Sequence, residues 1–314
     1  MDPVTHTLIG AVTANAFLKR KVGPEAVPVL CWASNLPDID VLVLLGSGPA
    51  GVAMRRSFGH SAFLYPLWCA ALAWLFKKLY PNQRYATLFL LCLLGASLHV
   101  FFDLVNSFGV LALWPFSDYR PELAILFILD LILTGILLAP FLAAWLTPWR
   151  SRLRHACRIS AALACAYVLF CAGARMKAEM LLMRQSPLLK PDFSYVFPEP
   201  LGPHRWRGVL LFGNEYRVYL INALSGRVEL RALAVTDEAK PAAAAVLRAS
   251  PMAAQLEGFF KAPVWRVTPA RGGAAEVSVY DLRFRTLLLS RRRPFEYLFR
   301  VFPDGRVQEL GRAS

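Results

Sequence analysis

The chain has 314 residues, 56% hydrophobic and 18% charged, with a formal net charge of +14. Soluble globular proteins average about 45–50% apolar and about a quarter charged. A uniformly soluble chain is therefore excluded, and the apolar excess, concentrated between about residues 26 and 175, points to two domains.

In chain order, MDPVTHTLIG has no basic stretch ahead of its apolar residues, so it does not read as a cleavable signal peptide. Residues 5–18 and 26–36 predict a short helical hairpin, re-entrant among other helices and turned at Lys19-Arg20-Lys21. Gly46, Gly48 and Gly51 mark a loop with no GxxxxGK phosphate cradle. A bilayer core of about 30 Å needs roughly 20 apolar residues as a helix. Four stretches approach this: 61–76, 86–105, 123–146 and about 157–174.

Beyond residue 175 the pattern changes. Residues 206–213 and 215–223 read as a hairpin turned at Gly213-Asn214, with a further strand at 227–234. Residues 238–249 and 251–260 predict helices, the second started by Pro251. Strands follow at 276–285 and 295–302, with a turn at Asp304-Gly305 toward 306–310. The fold expected is an α-helical multi-pass membrane domain over 1–176 followed by a small soluble α+β domain over 195–314.

The basic residues flank the apolar segments: Lys19, Arg20 and Lys21, then Lys77 and Lys78, then Arg150, Arg152 and Arg154. There they set orientation and touch anionic lipid headgroups, so membrane lipid is the expected partner and nucleic acid is not. Arg291, Arg292 and Arg293 read as a solvated turn. Loops 77–85 and 147–156 are placed in the cytoplasm by the positive-inside rule. The tail then falls in the periplasm of a bacterial inner (plasma) membrane protein; Arg55, Arg56, Arg175 and Lys177 argue mildly the other way. The six cysteines all precede the tail and form no CxxC pair, so no disulfide framework is expected.

Ionisable groups inside apolar helices are costly and mark function by default. His99 and Asp103 are one turn apart in the second apolar stretch and share a helix face. A neutral imidazole with a carboxylate suits Zn, Mn or Fe; a His–Asp hydrogen bond tying two helices is the structural alternative. His6, Asp38, Asp40 and His60 fall in further polar islands, and the expected topology brings all of these groups to the outer membrane face. Three imidazoles with two or three carboxylates can hold one or two metals, whereas separate helix caps and ion pairs are the plainer reading. Asp130 is a further candidate ligand or a partner for Arg120. Asn106, Trp114 and Pro115 line the outer loop. His155 and His204 read as surface residues. No GxSxG is present, and Ser61 beside His60 is weak support for a serine nucleophile.

The islands DPVTHTLIG at 2–10, NLPDID at 35–40, RSFGHS at 56–61 and GASLHVFFDLVNSFGVLALWPFS at 95–117 resemble the YdjM-like family of membrane-bound metal-dependent hydrolases. VYDLRF at 279–284 is similar to a tail element of longer members. That family is similar in turn to the zinc-dependent phospholipase C and single-strand nuclease superfamily, in which an H-x-x-x-D helix supplies zinc ligands. The resemblance implies His99 and Asp103 as that motif, with His6, Asp38 or Asp40, and His60 as further ligands. The second H-x-x-x-D helix of soluble members is missing, which implies one or two metals.

The function expected is hydrolysis of a phosphoester in a lipid or lipid-linked substrate, with zinc as first choice of metal and manganese as second. The metal would activate water, and Asp38 or Asp40 would act as general base. The alternatives are a non-catalytic membrane scaffold or sensor whose outer domain binds a partner, and a transporter using the intramembrane acids.

Overall fold

The computed structural model describes residues 1–44, 51, 54–146, 149–200, 202–287 and 295–313. Gly46, Gly48 and Arg291–Arg293 lie outside them. Two compact units emerge, Met1–Val43 with Arg56–Gly173, and Leu44–Arg55 with Ala174–Ser314.

In the first unit, Asp2 caps helix α1 (Pro3–Thr13) by accepting from Thr5 N at 3.0 Å and from its hydroxyl at 2.6 Å. Pro3 takes the first helical position, where an absent N–H costs nothing. The helix widens into a π turn at Ala14–Leu18 and continues as α2 (Lys19–Val22). The chain therefore reverses at Gly23, with φ of +123°, and not at Lys19–Lys21 as expected. Lys and Arg are good helix formers, whereas a positive φ suits glycine.

Helix α3 (Ala26–Ala33) leads through a 3-10 turn at Leu36–Ile39 into α4 (Asp40–Leu44). Then come α5 (Tyr65–Leu79), α6 (Tyr85–Val105), α7 (Leu131–Leu146), a 3-10 turn at Trp149–Arg152 and α8 (Leu153–Met183).

Of the four expected spans, two are helices long and apolar enough to cross a membrane among the described residues: α6 with 21 residues and α8 with 31. The other two are shortened to 15 residues in α5 and 16 in α7. The segment before α7 is as apolar as a helix, but its amides go elsewhere. Leu123 N and Ile125 N bond to Leu104 O and Val105 O at 2.7 and 2.8 Å, extending alongside the end of α6.

Helix α3 is central. Val29, Leu30 and Ala33 share one core with Leu88, Leu91 and Cys92 of α6, while Ile9 and Val12 of α1 share another with Leu133 and Leu137 of α7. The α3–α6 contact depends on Gly95, where a Cβ would meet the Ala33 Cβ at 2.6 Å. The outside of this unit is also apolar: Leu90 is 61% exposed and Trp145 75%. In water such a surface would associate; lipid satisfies it.

The second unit holds two antiparallel four-stranded sheets, each a simple meander. The first runs β1 (Phe193–Pro198), β2 (Arg205–Phe212), β3 (Glu215–Asn222), β4 (Val228–Val235). The expected hairpin is β2–β3, closed by the Phe212↔Glu215 pair around Gly213-Asn214. After α9 (Pro241–Ala249) and α10 (Pro251–Phe259), the second sheet runs β5 (Pro263–Pro269), β6 (Ala275–Asp281), β7 (Tyr297–Val301), β8 (Val307–Arg312). All six cysteines are free thiols.

Candidate metal centre

The polar islands act first as local structure. Asn35 ties α3 to α1 by donating to the Thr7 hydroxyl at 2.9 Å and to Cys31 O at 2.8 Å. Pro37 opens the 3-10 turn that carries Asp38, and Asp40 starts α4. Gly59 lies against the Pro37 carbonyl so closely that a Cβ could not fit, which sets His60 beside both carboxylates. His99 and Asp103 come from the last two turns of α6.

These elements bring Asp38, His60, His99 and Asp103 together, with one ligand atom from each lying within 4.8 Å of the others. His60 Nε2 is 3.1 Å from His99 Nε2 and 3.2 Å from Asp103 Oδ2, and His99 Nε2 is 3.4 Å from that oxygen. Asp38 Oδ1 lies 4.0 and 3.8 Å from the two Nε2 atoms. His60, His99 and Asp103 are fully buried, while the Asp38 side chain keeps 18% of its exposure.

The other ring nitrogens are committed. His99 Nδ1 donates to Ser34 O at 2.7 Å, and His60 Nδ1 faces Asp40 Oδ2 at 3.1 Å. Acceptors at both Nδ1 atoms place the hydrogen there in the neutral ring. Each Nε2 then presents a lone pair to the other and to Asp103. Two lone pairs and a carboxylate at such distances repel unless a cation or proton lies among them. Ligand atoms on a tetrahedral metal with bonds of about 2.0–2.1 Å sit roughly 3.3 Å apart, which is the spacing of His60, His99 and Asp103. The donor set fits a divalent metal.

His6 stacks on His99, with ring centroids 3.7 Å apart and planes 19° off parallel. Its Nε2 is 3.3 Å from Asp103 Oδ1, too poorly aligned for a hydrogen bond, and neither ring nitrogen has a hydrogen-bond partner among the described residues. It borders the four-residue cluster without belonging to it. Asp40 stands behind His60, the carboxylate–histidine arrangement that orients metal-binding imidazoles. Asp103 also contacts the Met1 amino group.

Arg56, which opens the RSFGHS island but was given no role at the site, binds Asp103 Oδ2 through its Nε at 2.8 Å. Its Nη1 donates to Asn106 Oδ1 at 2.9 Å, and Asn106 Nδ2 donates to Asp103 Oδ1 at 3.2 Å. Arg56 holds a φ of +60°, uncommon for a residue with a Cβ, and such strain collects at functional sites. The available signal was its spacing ahead of His60 in RSFGHS.

Other residues have structural partners. Asp130 is not inside α7 but precedes it, capping Ile132 N and Leu133 N at 3.1 and 2.9 Å and accepting from the Tyr167 hydroxyl. The Ser61 hydroxyl donates to Trp114 O at 2.5 Å. In the tail, Asp281 and Arg283 of VYDLRF are both buried, at 1% and 4% exposure, and hold backbone.

An apolar helical unit with a buried His/Asp cluster and, among the described residues, two helices long and apolar enough to cross a membrane fits a membrane protein with a candidate metal centre. The chain belongs to the YdjM inner membrane protein family, whose model matches residues 1–178. It is also 33% identical over 124 residues to the "Uncharacterized protein YfhP" of Bacillus subtilis (strain 168). That match takes in 37% of this chain and 38% of the relative's length. No solved structure matches.

Proposed function

We propose that this protein is a membrane-bound metal-dependent hydrolase acting on a phosphoester in a lipid or lipid-linked substrate, with its cluster at the outer face of the membrane and its tail in the periplasm. The carrying observation is the convergence of His60 Nε2, His99 Nε2, Asp103 Oδ2 and Asp38 Oδ1, ligand-type atoms from three elements. His60, His99 and Asp103 would hold the metal, with Asp38 or His6 completing the set. A bound divalent metal, zinc as first choice and manganese as second, would supply Lewis acidity toward a water and a phosphoryl oxygen.

The chain's own groups divide the remaining work. Asp38 is the one cluster carboxylate with exposure, so water meets it first, and it is placed to take a proton at its free oxygen. Asp40 is buried and bound to His60, which suits it to positioning. Arg56 and Asn106 fix the Asp103 carboxylate. The apolar exterior favours a substrate presented from lipid over one diffusing in water.

A non-catalytic scaffold or sensor is supported by the same Arg56–Asp103 pair, because a guanidinium compensates the buried carboxylate by itself. Elemental analysis of the detergent-purified chain beside His99→Ala/Asp103→Ala separates the two. Stoichiometric metal lost in the variant, with phospholipid hydrolysis lost in Asp38→Asn at retained metal, supports the hydrolase. No metal after reconstitution leaves the scaffold.

A further inference from the structure

The basic residues of the first unit gather around a second feature at its other end. A cavity of about 470 Å³ is lined by Asn15, Lys19, Arg20, Ser151, Arg154 and His155, among others. Three of these six, Lys19, Arg20 and Arg154, are cationic and a fourth, His155, adds an imidazole, and no acidic side chain lines the cavity among the described residues; Glu25 follows the lining residue Pro24 but is not part of it. Like charges brought together at a surface repel, so a fold that keeps them together without a carboxylate is suited to an anion.

The cavity is built by the π turn. At Ala14–Leu18 the helix is wider, and the Ala16 carbonyl accepts from Arg158 Nε at 3.1 Å and Arg154 Nε at 3.5 Å. Those bonds anchor the start of α8 to the end of α1 and hold Arg154 against Lys19 and Arg20. Gln83, in the loop joining α5 to α6, donates to Val22 O at 3.0 Å. Lys77 and Lys78, in the last turn of α5, thus join the same end of the unit. His6 is thirteen residues up the helix from Lys19, about 20 Å at 1.5 Å per residue. The cavity is distinct from the metal centre.

Its surroundings say which anion. On α8, His155, Ile159 and Leu163 follow each other at four-residue steps and form one stripe. Ile159 is 61% exposed and Leu163 53%, and Phe17 on the π turn is 47% exposed. A charged hollow thus opens onto bare apolar helix surface. A soluble anion would use only the hollow; a lipid would use both, its phosphate among the cations and its chains along the stripe. Basic pockets between membrane helices take anionic headgroups in this way.

We propose that this cavity is a binding site for the phosphate of an anionic phospholipid headgroup. The test is native mass spectrometry of the full chain in detergent, offered equal phosphatidylglycerol and phosphatidylcholine. Each basic side chain near a membrane surface contributes about 1 kcal/mol, so Lys19→Gln/Arg20→Gln/Arg154→Gln should weaken retention of phosphatidylglycerol by roughly a hundredfold. Lys77→Gln/Lys78→Gln, with charges outside the cavity, should retain it. Circular dichroism reports folding, and if the triple variant is unfolded, Lys19→Gln alone, on an exposed side chain, should cost roughly fivefold. Inorganic phosphate at millimolar concentration should not displace the lipid. Displacement by it would make free phosphate the ligand and overturn the lipid assignment. Unchanged retention in a folded cavity variant, or equal loss in the Lys77/Lys78 variant, would overturn the site.

Discussion

Asp40 accepts from His60 Nδ1 at 3.1 Å through one carboxylate oxygen, while its other oxygen is buried without a hydrogen-bond partner among the described residues. The side chain faces the back of a cluster imidazole, so its charge reaches the candidate metal centre through the ring. Carboxylates in that position raise ligand basicity and fix the ring, and their loss costs about 10–100-fold in metal affinity. Asp40→Asn is expected to keep metal stoichiometry but fall in affinity by that factor, read by chelator competition. Complete loss of metal would make Asp40 a direct ligand.

The Arg56 guanidinium has two opposed effects. It compensates the buried Asp103 carboxylate, and it also lies within reach of the atoms that would hold a cation. Removing one partner of a buried pair costs about 3–5 kcal/mol. Arg56→Met should therefore lower the melting temperature of the metal-free protein. Because only the Met1 amino group and the Asn106 amide would then compensate Asp103, the rise in melting temperature on adding metal should be larger in Arg56→Met than in wild type. Thermal unfolding with and without chelator measures both. An equal or smaller rise would show that Arg56 supports metal binding more than it opposes it.

The contrast between Arg56 and His99 shows what sequence spacing conveys. His99 and Asp103 were readable because a helix turn brings residues four apart onto one face. The RSFGHS spacing links Arg56 to His60 but does not say that it reaches Asp103, since that contact depends on how residues 56–60 dock on α6. The same limit governed the helices. Hydropathy found α6 and α8, but could not tell that residues 123–126 would bond to the carbonyls at the end of α6. In the tail, the β2–β3 hairpin carried its turn residues with it. Strands β1 and β5 were not among the expected elements, and each is bounded by proline, Pro198 in the first and Pro263 and Pro269 in the second. Both strands lie at sheet edges, where a missing N–H is tolerated.

Asp130 offers a check on the boundary of the metal centre. Its carboxylate accepts two amides at the start of α7 and the Tyr167 hydroxyl at 2.9 and 3.1 Å, so it is fully engaged in joining α7 to α8. Tyr167→Phe removes the phenol and leaves a buried acceptor short of a donor, at about 1–3 kcal/mol. A lower melting temperature with unchanged metal content is expected. Falling metal content would bring Asp130 into the centre after all.

The VYDLRF element of the tail makes a different prediction from a ligand-binding motif. Asp281 accepts from Lys261 N at 2.9 Å, Ala262 N at 3.2 Å and Arg283 N at 2.8 Å, which fastens the chain after α10 to the end of β6. Arg283 pairs with Asp281 at 3.2 Å, donates to Phe259 O at 2.8 Å and lies over the Phe259 and Phe284 rings at 4.6 and 4.5 Å. Arg283→Ala leaves the Asp281 carboxylate buried with no guanidinium, at about 3–5 kcal/mol. Asp281→Asn, which can still accept from one or two of the amides, should cost less. Hydrogen exchange on the full chain should speed up across residues 259–284 in both variants, more in Arg283→Ala. Wild-type exchange in both would mean that the motif is kept for a ligand and not for the fold.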